Sequence, residues 1–315
     1  MISRKKFLTA SALAAISSYK AFDVLASSIP HSTSPTCFAS DPKICIFSKC
    51  LQWLKYTDLA EFAADAGFDG IDLTVRKNGH VLPENVVKDL PKAVKAVEDG
   101  GLKVYMITTD IADIHEPHTA AIIQTAARLG IKYYRTNWYN YDSAISIPAN
   151  IEVFKRRLAG LSKLNRQYNV EGVYQNHAGH YFGASVWDLW LAIKDLESIS
   201  CQYDIRHATV EGTSSWETGF ELIHQKINTI AVKDFTWQQQ GTKWNAKSVP
   251  LGEGIVDYTA YLKMVDKYRI SGPASMHFEY PLGGAEEGAR TITLSREDFK
   301  KAIIKDLRTF QKLIA

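Results

Sequence analysis

The chain has 315 residues, 46% hydrophobic and 23% charged, an ordinary globular composition that excludes a disordered or fibrous protein. The formal net charge is +3, and Arg4, Lys5, Lys6 and Lys20 against Asp23 account for all of it, so residues 28–315 are formally neutral. A neutral domain carries no electrostatic footprint for nucleic acid.

Residues 1–27 read as an export signal. Arg4, Lys5 and Lys6 form a basic start, and residues 7–18 are apolar, Ala-rich and too short to span a membrane. Leu25-Ala26-Ser27 offers small residues for cleavage. Ser3-Arg4-Lys5-Lys6-Phe7-Leu8 resembles a twin-arginine leader with Lys5 in place of the second arginine, and the ordinary secretory route fits as well. The expectation is an exported, periplasmic protein with no membrane span and no lipid anchor. Residues 28–42, rich in Ser, Thr and Pro, read as a linker. Cys37, Cys45, Cys50 and Cys201 show no C-x-x-C spacing, which argues against a thiolate zinc site; Cys45 falls in an apolar run and reads as core.

A strand–helix rhythm then begins. Strands are predicted over residues 44–47, 70–74, 102–107, 131–136, 172–175, 200–204, 228–233 and 274–279. Helices are predicted between and after them, over 57–66, 86–99, 118–129, 151–168, 186–196, 216–224, 258–268 and 296–313. Alternation of this kind implies a parallel sheet with right-handed crossovers. Eight repeats over this length predict an α/β protein with a single-domain (β/α)8 TIM barrel spanning 43–315. A doubly wound open sheet is the alternative, but no Gly-x-Gly-x-x-Gly turn follows the first strand.

In such a barrel the active site lies where the strands end. Those ends carry Asp72 and Thr74 with Arg76 and His80 beyond; Thr108, Thr109 and Asp110; Arg135 and Asn137; Gln175 and His177; Asp204 and His207; Lys233 and Asp234; His277 and Glu279. So many polar groups exceed what barrel closure needs, because an unpaired buried polar group costs roughly 1–3 kcal/mol. Plainer readings stand beside the functional ones. Asp204 could cap the turn after its strand, Glu279 could be a buried partner of Lys233, and His207 could hydrogen-bond a loop. His277, two residues before Glu279, points to the same side one layer deeper. His80 lies on a loop. Arg135 and Asn137 share a face, which suits either sugar hydroxyls or an ion pair with Asp110 or Glu279. Gly252-Glu253-Gly254 reads as loop shaping, not phosphate binding.

Several of these residues sit in recognisable strings: Ala66-Gly67-Phe68-Asp69-Gly70-Ile71-Asp72, Asn176-His177-Ala178-Gly179, Asp204-Ile205-Arg206-His207, Val232-Lys233-Asp234, Leu251-Gly252-Glu253-Gly254 with Asp257, and His277-Phe278-Glu279. In this order and spacing the chain resembles the xylose isomerase-like TIM barrels, over about residues 43–312. The resemblance implies one divalent ion (Mn, Mg or Zn). Its ligands would be a Glu ending strand five, an Asp ending strand six, a His two residues before the Lys-Asp pair of strand seven, and a Glu ending strand eight. Here those positions hold Gln175, Asp204, Ala231 and Glu279. A metal set of Gln175, Asp204, Glu279 and His207 is expected on that basis. Catalysis is assigned to Glu279, Lys233 and His207, and substrate binding to His80, Arg135, Asn137 and His177. The implied substrate is a small sugar or sugar derivative, and a homo-oligomer stays open. The implied reaction is isomerisation or epimerisation by proton abstraction next to a carbonyl. Gln175 cannot take a proton from carbon, which keeps two alternatives open: a lyase or deglycosylase step on an oxidised sugar, and a non-catalytic carbohydrate-binding barrel. Endonuclease activity is disfavoured by the neutral charge and by too few ligands for a three-metal site.

Overall fold

The computed structural model describes residues 42–315; the expected leader and nearly all of the linker lie outside the described residues. Eight parallel strands close into a barrel: β1 (Ile44–Phe47), β2 (Gly70–Val75), β3 (Lys103–Thr109), β4 (Tyr133–Arg135), β5 (Glu171–Gln175), β6 (Ile199–Asp204), β7 (Ile227–Val232) and β10 (Ala274–Met276). Closure is made by β1, whose Ile46 pairs with Ile71 on one side and Met276 on the other. The predicted (β/α)8 TIM barrel is what forms. Among the described residues no helix is long and apolar enough to cross a membrane.

The strands are legible because a parallel sheet is covered on both faces and needs near-continuous apolar runs. All four residues of β1 and all six of β2 are buried. The helices show one apolar face each. In the helix Tyr56–Ala66, Leu59, Phe62, Ala63 and Ala66 face the barrel. Gly67 then takes a left-handed conformation (φ 96°), and its N–H donates to Ala63 O, ending the helix.

Four departures from the predicted pattern bear on the site. Strand β10 ends at Met276, so His277 to Tyr280 leave the ladder at the barrel mouth. Strand β4 ends at Arg135, short of Asn137. An unpredicted helix, Ile205–Gly212, starts directly after β6, because the Asp204 carboxylate accepts the His207 N–H (3.1 Å) and caps its first turn. An unpredicted antiparallel hairpin, β8 (Asp234–Gln240) and β9 (Lys243–Val249), follows β7.

Asp234 anchors that hairpin. Its buried carboxylate accepts the N–H groups of Phe235 (2.8 Å), Gly252 (3.1 Å), Gly254 (3.1 Å) and Val256 (3.2 Å). Gly252-Glu253-Gly254 is therefore a wrapper around a carboxylate. A Cβ on Gly254 would lie 2.0 Å from Asp234 Oδ1 and 2.4 Å from Phe235 O. Gly254→Ala is expected to cost about 3 kcal/mol in urea unfolding, from overpacking and lost hydrogen bonds together. An unchanged midpoint would show that Asp234 is not the anchor.

Candidate active site

Strand β5 delivers three consecutive polar side chains to three different tasks. Gln175 is buried, and Arg135 Nη1 donates to its Oε1 (2.6 Å). A guanidinium has only donors, so the amide oxygen must face Arg135. The amide nitrogen is thereby aimed at Asp204, donating to Oδ2 at 2.7 Å. Asn176 locks β5 to β6: its Oδ1 accepts the Asp204 N–H (2.7 Å), and its Nδ2 donates to the Asp204 carbonyl (3.0 Å). His177 continues into the mouth.

The centre of the site is a lysine between two carboxylates. Lys233 Nζ lies 3.2 Å from Asp204 Oδ2 and 3.1 Å from Glu279 Oε2. The Lys233 and Asp204 side chains are 3% and 0% exposed, while that of Glu279 is 27% exposed, so Glu279 is the member that solvent and ligands can reach. Burial pushes the Glu279 carboxyl up, but Lys233, followed by His277, holds it well below the usual carboxylate range.

Three imidazoles surround this centre. His177 Nδ1 is 2.9 Å from Ala178 O. A carbonyl only accepts, so Nδ1 carries the proton and Nε2 presents a lone pair. Burial, then Lys233, depress its pKa to about 4. Its ring stands 3.9 Å from that of His207, 4.6 Å from Trp138 and 5.2 Å from Tyr181. His207 is buried beneath it. Arg206 Nη1 donates to His207 Nδ1 (3.0 Å), so Nε2 carries the proton, 3.7 Å from Asp204 Oδ2. Burial and Lys233 hold its pKa well down. His277 stacks on Phe47 (4.4 Å), with Nδ1 3.7 Å from Glu279 Oε1, and among the described residues neither ring nitrogen has a hydrogen-bond partner.

The fold thus gathers Arg135, Gln175, His177, Asp204, His207, Lys233 and Glu279 into one network. His80 and Asn137, the other two expected substrate contacts, are not part of this network. Both ring nitrogens of His80 are taken, by Leu51 O (3.1 Å) and Thr74 Oγ1 (3.1 Å), so this residue ties its loop to β2. Asn137 lies past the end of β4, where two-residue alternation no longer applies, and its Oδ1 accepts the Trp138 N–H (2.9 Å). Phe47 was not expected at the mouth. Its ring is flanked by His277, Arg76 (5.6 Å) and Arg135 (5.5 Å). Its position as the last residue of β1 was the available signal.

A family model described as the xylose isomerase-like TIM barrel matches residues 60–295, and the chain belongs to that family. No curated protein matches it by sequence. Among solved structures it is similar to the 3-keto-D-glucoside 4-epimerase YcjR from E. coli, at 13% identity over 86% of this chain and 100% of that one, with a TM-score of 0.64. It is also similar to the probable 3-DHS dehydratase AsbF from Bacillus anthracis: 18% identity, 84% and 98% coverage, TM-score 0.64. A third is a xylose isomerase-like TIM barrel protein from Mycobacterium smegmatis in complex with magnesium: 15% identity, 84% and 98% coverage, TM-score 0.59. At these identities the likeness is one of fold.

The donor set expected for a divalent ion does not fit one here. Gln175 turns N–H, not a lone pair, toward Asp204, because Arg135 holds its oxygen. Ala231 has no donor atom. The Lys233 ammonium already stands between the two carboxylates that would ligate. His207 offers Asp204 a protonated nitrogen, with Arg206 on the other. Among the described residues no group of three or more His, Cys, Asp and Glu side chains is arranged to hold a metal. The fixed ammonium supplies one positive charge where a metal would supply two.

Proposed function

We propose that the chain is a sugar-modifying enzyme that removes a proton next to a carbonyl, with Glu279 as base and Lys233 as the group that stabilises the resulting oxyanion. The observation that carries this reading is the Lys233 ammonium held between buried Asp204 and reachable Glu279 at the barrel mouth. In the free protein Lys233 suppresses the basicity of Glu279. A substrate carbonyl oxygen that accepts a hydrogen bond from Lys233 draws the ammonium away from Glu279. The carboxylate then becomes more basic at the moment it is needed, and charge developing on the oxygen meets a fixed cation. Asp204 stays behind as the anchor of the lysine. The His177 lone pair accepts from a substrate hydroxyl, and Trp138 and Tyr181 form an apolar wall beside it. His207 takes a positioning role under His177 in place of the catalytic one expected from sequence.

A second reading, elimination from an oxidised sugar, is favoured by Gln175. Epimerisation with two opposed carboxylates needs a second base at that position, whereas elimination needs one base and a leaving group on the neighbouring carbon.

The test is to incubate the protein with D-allulose, D-tagatose and 3-keto-glucosides in D2O and follow proton NMR. The expected result is loss of the signal of the carbon-bound proton next to the carbonyl, with product formed by inversion or by loss of the leaving group. Glu279→Gln is expected to slow it by about 10³-fold or more. Sugar binding without exchange on any of these compounds would overturn the enzyme reading in favour of a binding barrel.

A further inference from the structure

Two guanidinium groups converge on the mouth, with the Asp72, Asp110 and Glu279 carboxylates near but none within ion-pair distance among the described residues. Arg135 is 3% exposed, gives Nη1 to the neutral Gln175 amide, and leaves its buried Nε with no acceptor. Arg76, the residue after β2, is half-buried. Both lie over the Phe47 ring, at 5.5 and 5.6 Å, and Arg135 is also 4.8 Å from the Trp138 ring. Among the described residues neither arginine belongs to an ion pair, although Lys233 beside them belongs to two. The carboxylates nearby act on the arginines at a distance, and their hydrogen bonds go to other donors. The Asp110 carboxylate accepts the Lys77 N–H (3.0 Å), and Asp72, deep in the barrel, accepts the hydroxyls of Thr108 (2.9 Å) and Ser275 (2.7 Å).

The two cations oppose each other. Burial, then Arg76, lower the Arg135 pKa to about 10 against the pull of Asp72, Glu279 and Asp110, and burial lowers that of Arg76 against Asp110, Asp72 and Glu279. A desolvated cation with no counter-ion in direct contact is costly, and aromatic faces and distant carboxylates compensate only in part. The arrangement is completed by an anion that arrives with the ligand. Arg76 is open to solvent on its other side, where it lines a rim cavity of about 500 Å³ with Gln52, Asp110 and Arg290.

We propose that Arg76 and Arg135 form an anion subsite that takes the carboxylate of an acidic sugar, a uronate or aldonate. This rests on reading the mouth as a sugar site and narrows its substrate class. Guanidinium groups held over aromatic rings present N–H edges that match a flat carboxylate in two-point contact. A phosphate ester shares the charge but is commonly cradled by backbone N–H groups at a helix start or Gly-rich turn, whereas the groups offered here are guanidinium edges.

The experiment is isothermal titration of the protein at pH 7 and low salt with D-glucuronate, D-galacturonate and D-gluconate. Their neutral parents D-glucose and D-galactose, and D-glucose 6-phosphate, complete the set. The expected result is that at least one acid binds about 10-fold or more tighter than its parent. That preference should shrink with added salt and vanish in Arg76→Gln, while Arg76→Lys retains part of it. Arg76 is partly exposed, so its variants report binding without the folding risk of Arg135. Equal binding of acids and parents overturns the anion subsite and leaves the sugar site standing. Tighter binding of the 6-phosphate than of every acid overturns the carboxylate assignment. No binding of any of these compounds overturns the anion subsite, with the sugar site then judged by the exchange experiment above, and an Arg76→Gln variant that keeps the preference overturns the role of Arg76.

Discussion

Replacing Lys233 with Ala is expected to lower unfolding stability by about 3–5 kcal/mol and to abolish the proton exchange proposed above. Removing one partner of a buried ion pair leaves the other charge desolvated and uncompensated, and that penalty dominates. Here two carboxylates lose their counter-ion at once, one of them, Asp204, fully buried. Urea unfolding measures the loss. The pH dependence separates this cause from a simple packing defect. Glu279 has a folded pKa depressed below its unfolded value of about 4.3. It therefore contributes stability that is complete above that value. The contribution is lost as pH falls through about 4 toward the folded pKa, because the unfolded chain takes up the proton first. In Lys233→Ala the main cause of the depression is gone, so the acid limb of the stability profile flattens. Parallel acid limbs in the two proteins would show that Lys233 does not set the Glu279 pKa.

The architecture was open to reading because parallel barrel strands are apolar along their whole length and their helices are apolar along one side. The polar residues that end the strands stand out against that background, which is why Gln175, Asp204, Lys233 and Glu279 could be named from the sequence. What they do to one another was not legible. The direction of the Gln175 amide depends on Arg135, at the end of the neighbouring strand and 40 residues earlier in the chain. The neutral state of His177 depends on burial and on the charge of Lys233. His80 and Asn137 have the right residue types at the right strand ends, yet neighbours take both ring nitrogens of His80 and the side-chain oxygen of Asn137. The hairpin β8–β9 was legible in principle. Phe235, Trp237, Trp244 and Ala246 alternate with polar residues on either side of Gly241, which takes a φ of 62° in the turn.

Restoring the donors that the family resemblance implies should convert this ammonium-centred site into a metal site. In Gln175→Glu combined with Ala231→His, the new carboxylate cannot donate to Asp204. The new imidazole would sit on the inward face of β7, where Ala231 pairs in register with Asp204. Asp204, the register partner of position 231, is also the carboxylate that holds Lys233, so the imidazole would enter the same charge cluster. A third buried carboxylate beside Asp204 and Glu279 leaves one ammonium facing three negative charges, a balance that a divalent cation corrects better than Lys233 alone. Without metal the double variant should lose about 1–3 kcal/mol, because position 231 is fully buried and has no room prepared for a ring. With Mn²⁺ at about 100 times its dissociation constant, linkage returns about 2.7 kcal/mol. Urea unfolding with and without MnCl₂ reads both effects, and elemental analysis after desalting counts the ion. The wild-type protein should show neither a Mn²⁺-dependent shift nor bound metal. A wild-type shift as large as that of the double variant would mean that Asp204 and Glu279 bind metal with Gln175 in place, and that Lys233 yields its position between them.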